Sequence, residues 1–146
     1  MSSSLKVDVQ IASRLHGIPV SRHFRKWLKG ALPASAELAL RVVNAAEGRR
    51  LNRTFRGKDY ATNVLTFVYH NADARVLVGD IVLCAPVVAR EAREQDKLLE
   101  VHYAHLTVHG ALHLAGFDHE GIRDAKIMES REIDILEKLG FCNPYA

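Results

Sequence analysis

Residues 5–12 (LKVDVQIA) alternate apolar and polar side chains, the period-two pattern of a half-buried strand. From residue 21 the period changes. Phe24, Trp27, Leu28 and Leu32 recur at helical spacing, with Ser21 as the expected N-cap. Residues 37–43 (ELALRVV) alternate again as a second strand, and Asn44 is placed to cap a short helix over 45–53. Residues 64–69 and 76–85 are rich in β-branched and aromatic side chains and are separated by the turn-prone HNADA, which predicts two further strands. Pro86 suits the first turn of a helix that continues through VVAREAREQDK. Residues 98–115 carry a long helical pattern stopped by Gly116. Residues 122–139 form a last amphipathic helix ended by Gly140, with Pro144 shortly beyond. The sum is an α+β fold, one domain over residues 1–146, with a small mixed sheet of about four strands packed against four to five helices. The pattern leaves the strand order open.

Composition narrows the class without changing that picture. A chain of 146 residues buries roughly 68–70% of its unfolded surface and needs no disulfide staples. Hydrophobic residues at 48% and charged residues at 25% disfavour disorder, a collagen-like chain or a coiled coil. No apolar run approaches the ~18–20 residues of a membrane span, and MSSSLKVDVQ has neither a basic n-region nor an apolar h-region. Cys84 and Cys142 form no CxxC and read as reduced thiols. The expectation is a cytoplasmic protein with no membrane partner.

Charge adds an asymmetry. The net charge is only +3, but residues 1–60 hold twelve basic and four acidic side chains, whereas residues 61–146 hold eight and thirteen. Residues 49–58 (RRLNRTFRGK) contain five basic residues and no acid. Such a half suits contact with a polyanion, although an evenly solvated basic face accounts for charge alone equally well.

The histidines carry more specific chemistry. His102, His105, His109 and His113 lie in one helical segment, and His119 follows its expected end. His105 and His113 would stand about 12 Å apart along a helix axis, too far for one metal with ~2 Å bonds. His109 and His113 are i and i+4, about 6 Å apart on one face, so their imidazoles can converge. Gly116 permits a left-handed turn, after which His119 can face the same point. Three neutral imidazoles leave a fourth tetrahedral position open, the arrangement of a catalytic zinc site. Zinc suits the set, although nickel, copper or iron can occupy such ligands. His102 and His105 read as packing residues or as supports behind the ligands. Asp118 can orient a ligand imidazole or simply serve the turn. His16, His23 and His70 are isolated and receive no role.

The spacing HxxxHxxGxxH also occurs in zinc peptidases that read HExxHxxGxxH, where the Glu is the general base. Here that position is Gly110, and neither Asp118 nor Glu120 can take its place. A peptidase is therefore disfavoured.

HGALHLAGFDH (109–119) resembles the signature HGxLHLxGxDH of the YbeY family of bacterial rRNA-maturation endoribonucleases. LNRTFRGKDYATNVLTF (51–67) is similar to that family's RGKD and TNVLSF segment, and VGDIVLC (78–84) to its GDI-containing strand. Ala61 where Pro is common and Thr66 where Ser is common are small departures that touch no proposed ligand. The resemblance implies an α+β fold with a small sheet and one zinc ion held by His109, His113 and His119. It also implies Arg56 as the key arginine and cleavage of single-stranded RNA. The implied setting is ribosomal RNA processing at the 3′ end of the small-subunit rRNA, together with ribosome quality control. RNA and the ribosome or its proteins are the implied partners, with no DNA.

The residues support that chemistry separately. Phosphodiester cleavage accumulates charge on nonbridging oxygens, and a metal with a guanidinium is a natural clamp for it. Arg56 is the candidate, its structural alternative being an ion pair with Asp59. Phe55 beside it suits stacking or the core. Arg49, Arg50, Arg53 and Lys58 are candidates for nonspecific backbone contact. Thr62 and Asn63 are expected mainly to bond backbone where a strand begins. Asp80, a charge in an apolar strand, needs either solvent or a fixed partner. The leading expectation is a zinc-dependent, single-strand-specific endoribonuclease. Its general base is unassigned, and either water or the RNA 2′-OH is the nucleophile. The alternative is a ribosome-assembly factor that binds RNA or protein and whose metal only holds the fold.

Overall fold

The computed structural model describes residues 5–32, 35–69, 76–117 and 121–145. In chain order the elements are β1 (Leu5–Ile11), α1 (Ser21–Ala31), β2 (Ala36–Val43), α2 (Ala45–Arg56), β3 (Val64–Tyr69), β4 (Leu77–Cys84), α3 (Ala85–Glu94), α4 (Leu99–Leu114) and α5 (Ile122–Lys138). The four strands form one mixed sheet in the order β1-β2-β4-β3. β1, β2 and β4 run parallel, and β3 pairs antiparallel with β4 at an edge. This is the expected α+β class, and the strand order is what local pattern could not supply. The HNADA turn and His70 lie outside the described residues.

Alternation on the central strands sorts the core into two layers. Leu38, Leu40 and Val42 of β2, with Ile81 and Leu83 of β4, face a large cluster that includes Phe24, Trp27 and Leu28 of α1, Tyr103, Val108 and Leu112 of α4, and Met128 and Leu136 of α5. The opposite face is thinner: Val43, Leu65, Val82 and Cys84 pack with Val87 of α3 and Leu51 of α2. Helix α4 is buried along most of its length, as a helix apolar on nearly every side should be. Gly110 is where it meets the sheet. A Cβ there would stand 3.4–3.5 Å from Ile81, Thr66 and Val64, so a longer side chain at that position would be driven into the strands.

Three local expectations are corrected. Ser21 is the first residue of α1, and the N-cap is Val20, which forms no side-chain cap. Asn44 occupies the N-cap position of α2, but its Oδ1 accepts the Ser13 hydroxyl at 2.6 Å instead of a helix N–H. Helix α2 also runs three residues beyond the expected 53, to Arg56. It stops at Gly57, whose left-handed φ of 70° is cheap only for glycine. The Gly57 N–H donates to Arg53 O and the Lys58 N–H to Asn52 O, closing the helix end.

Candidate active site

The end of α2, the loop over 57–63, the edge strand β3 and the middle of α4 enclose a cleft of about 690 Å³. Its lining includes Arg56, Lys58, Tyr60, Asn63, His109 and His113. Because α2 ends after Arg56, that side chain leaves the helix next to β3. Its Nη2 donates to Thr66 O at 2.8 Å, and its guanidinium carbon lies 5.8 Å from the Phe67 ring centroid. Buried Asn52 ties the loop to α2 by donating to Tyr60 O at 2.8 Å. Asn63 fixes the start of β3: its Oδ1 accepts the Val64 N–H at 2.6 Å, and its Nδ2 donates to Glu91 Oε1 at 3.0 Å.

On the facing wall, His109 and His113 lie one turn apart on α4 with ring centroids 4.8 Å apart and planes at 77°. Behind them is a residue that reading the motif alone did not reveal. Glu132 of α5 is fully buried, and its Oε1 lies 2.5 Å from His109 Nδ1. Its Oε2 accepts from His105 Nε2 at 3.0 Å and from the Tyr145 hydroxyl at 2.5 Å. Burial alone would raise its pKa, but the bonds from His105, His109 and Tyr145 outweigh that and bring it to about 2. A carboxylate only accepts, so the His109 nitrogen facing Glu132, Nδ1, is the one that carries a proton, and in the neutral imidazole the lone pair is then on Nε2. The sequence did hold a signal. Glu132 occupies the buried stripe of α5 with Met128, Ile135 and Leu136, where an unpartnered acid would be costly.

His102 has a carboxylate of its own, Glu91 Oε1 at 3.0 Å from Nε2. Burial lowers the His102 pKa, with Glu91 partly offsetting it. Asp118, Glu120 and His119 lie outside the described residues. Among the described residues no group of three or more His, Cys, Asp or Glu side chains is arranged to hold a metal ion. The donor chemistry of His109 and His113 nevertheless suits one. Two imidazoles share a face, and one has its far nitrogen held by a buried carboxylate, as metal-binding histidines commonly do.

The other basic candidates are placed differently. Arg49 makes a two-pronged pair with Asp59, at 2.8 and 2.9 Å, and Arg53 lies 4.0 Å from the same carboxylate. Asp59 is thus engaged by Arg49, while Arg56 turns to β3. Arg50 is exposed on α2, and Lys58 lines the cleft. Phe55 is 62% exposed and meets Phe67 edge-on. Asp80 accepts the Tyr69 hydroxyl, which decides between the two alternatives, solvent or a fixed partner, that the sequence left open.

The family model for Endoribonuclease YbeY matches residues 10–140. The chain belongs to the YbeY family. Endoribonuclease YbeY of Aromatoleum aromaticum is 59% identical over 128 residues, covering 88% of this chain and 82% of its own. That of Methylobacillus flagellatus is 54% identical over 142 residues, covering 97% and 94%. The solution structure of a Thermotoga maritima protein matches with a TM-score of 0.57 and 25% identity over 90% of this chain and 91% of its own. That fold likeness agrees with the five helices and four-stranded mixed sheet formed by the described residues. Among the described residues no helix is long and apolar enough to cross a membrane.

Proposed function

We propose that this YbeY-family chain is a zinc-dependent endoribonuclease specific for single-stranded RNA, with residues 1–146 acting as one domain. The proposed setting is the cytoplasm, in maturation of the 3′ end of small-subunit rRNA and in ribosome quality control, with the ribosome or its proteins as partners. The observation that carries this reading is the meeting of Arg56, His109 and His113 across one cleft that Lys58 also lines. His109 and His113 would hold the ion together with His119, and bound zinc would supply Lewis acidity toward a phosphoryl oxygen.

The chain's own residues account for the rest of the chemistry. Arg56 spends one N–H on Thr66 O, which fixes the plane of its guanidinium. Its remaining donors can clamp a phosphate whose charge grows during cleavage. Lys58 adds a positive charge on the same wall, and the exposed ring of Tyr60 offers a face for a base. Glu132 is not the general base: it is fully buried and already accepts three hydrogen bonds. The nucleophile is decided by a 2′-deoxy substitution at the scissile nucleotide, since loss of cleavage assigns it to the 2′-OH.

The direct test is cleavage of a labelled single-stranded RNA by wild type, Arg56→Ala and His113→Ala, with folding checked by circular dichroism. Cleavage by wild type alone supports the proposal. Equal cleavage by all three removes the activity from this cleft. No cleavage by wild type, with or without ribosomal subunits, favours an assembly factor with a structural metal.

A further inference from the structure

Behind His109 lies a second cavity of about 300 Å³, whose lining includes Asn63, Glu91, His102, His105, His109 and Tyr145. His109 lines this cavity as well as the cleft, so it forms part of the wall between them. The chain beyond α5 reaches this cavity, where Lys97 Nζ donates to Pro144 O at 3.2 Å. Within that segment the Tyr145 N–H donates to Asn143 Oδ1 at 2.8 Å, a local turn. The Tyr145 hydroxyl then meets Glu132 Oε2 at 2.5 Å and lies 3.2 Å from His105 Nε2, and the two rings pack edge-on at 5.3 Å.

Glu132 has one oxygen for each side of this wall. Oε1 meets His109, and Oε2 meets His105 and Tyr145. A carboxylate held through one oxygen only can pivot about its last bond. With two donors on Oε2, the direction of Oε1 is set, and with it the rotamer and protonated nitrogen of His109. We infer that Tyr145, acting through Glu132, is a positioning residue for His109. Together they hold its Nδ1–H tautomer and leave Nε2 as the donor atom for the metal. Their effect on metal binding rests on the reading of His109 as a ligand, whereas the tautomer itself does not.

The experiment combines two measurements on wild type, Glu132→Gln and Tyr145→Phe. Nitrogen-15 NMR of metal-free, histidine-labelled protein reads the His109 tautomer, its signal assigned by its loss in His109→Gln. Competition with a chromophoric chelator reads zinc affinity. Wild type is expected to show the Nδ1–H form. Glu132→Gln presents an amide that can donate to Nδ1, so it should populate the Nε2–H form and weaken zinc binding by roughly 10–100-fold. Tyr145→Phe keeps the ring but removes one donor, and should weaken zinc binding by about threefold to tenfold.

A Tyr145→Phe protein with wild-type tautomer and wild-type zinc affinity overturns the part assigned to Tyr145, and the same result for Glu132→Gln overturns the whole inference. If Glu132→Gln does not fold, Tyr145→Phe decides, because Tyr145 is 45% exposed and loses only a hydroxyl. If wild type binds no zinc, the metal reading falls, and the tautomer comparison in metal-free protein still decides the positioning.

Discussion

The two walls of the cleft are built on opposite physical terms. The α4 wall is backed by buried polar groups gathered on carboxylates: Glu132 is fully buried and accepts from His105, His109 and Tyr145, and His102, nearly as buried, meets Glu91. The α2 wall is a solvated row of cations, of which Arg49 is held by a surface carboxylate and Arg56 by a backbone carbonyl. Buried hydrogen bonds to a charge are costly to break, whereas exposed charges are screened and individually weak. The first wall should therefore fail by losing structure and metal geometry, and the second by losing rate or affinity with the fold intact.

The largest expected effect lies on the buried wall. Glu132→Ala strands three donors in the interior and should destabilise the protein by about 3–5 kcal/mol, read by urea unfolding. Acid titration sharpens the same point. The folded pKa of Glu132, about 2, is below its ordinary value of 4.5. Its stabilisation is therefore complete above pH 4.5 and is lost as pH falls toward 2. His102, lowered from 6.5 by burial, starts an earlier loss as pH falls below 6.5. Unfolding free energy measured from pH 7 to 3 should decline in two stages, and Glu132→Gln should flatten the more acidic one. A single unchanged decline in that variant would place the acid sensitivity elsewhere.

Arg56→Ala tests the opposite wall. With one exposed cation gone, cleavage should fall by roughly 10²–10³-fold, the usual scale for removing a donor to developing charge, while the urea midpoint stays near wild type. A variant that lost stability in proportion to activity would place Arg56 in the fold and not in the chemistry.

How much of each wall could be read in the sequence follows from the range of its interactions. The pair His109 and His113 was legible because helical spacing is local, and α4 does put their rings side by side. The basic stretch was legible as composition. The pairing of Arg49 with Asp59, ten residues on, was not, because it needs the turn that Gly57 makes. Helix α2 ends at Arg56 and not at 53 because the left-handed residue that closes it is Gly57, a stop signal that the expected boundary passed over. Glu132 was hidden for a different reason. Its partners come from α4 and from the chain after α5, and only tertiary packing brings those together. Its place among the apolar positions of α5 marked a buried acid without naming its partners.

The smallest effect bears most directly on what the solvated wall does. Asp59 is the one acid in residues 48–60, and it draws Arg49 and Arg53 toward itself. Its exposed pairing leaves the carboxylate below its ordinary pKa, chiefly through the Arg49 hydrogen bond, so it is ionised at neutral pH. Asp59→Asn removes that charge and keeps the side-chain shape, releasing Arg49 for a phosphate while leaving Arg56 and the histidines untouched. Binding of a single-stranded RNA should tighten, and the slope of log affinity against log salt should steepen by about 0.7 for each additional phosphate neutralised. If the slope and affinity stay at wild-type values, Arg49 and Arg53 are solvated charges outside the RNA path, and the interface contracts to Arg56, Lys58 and the cleft itself.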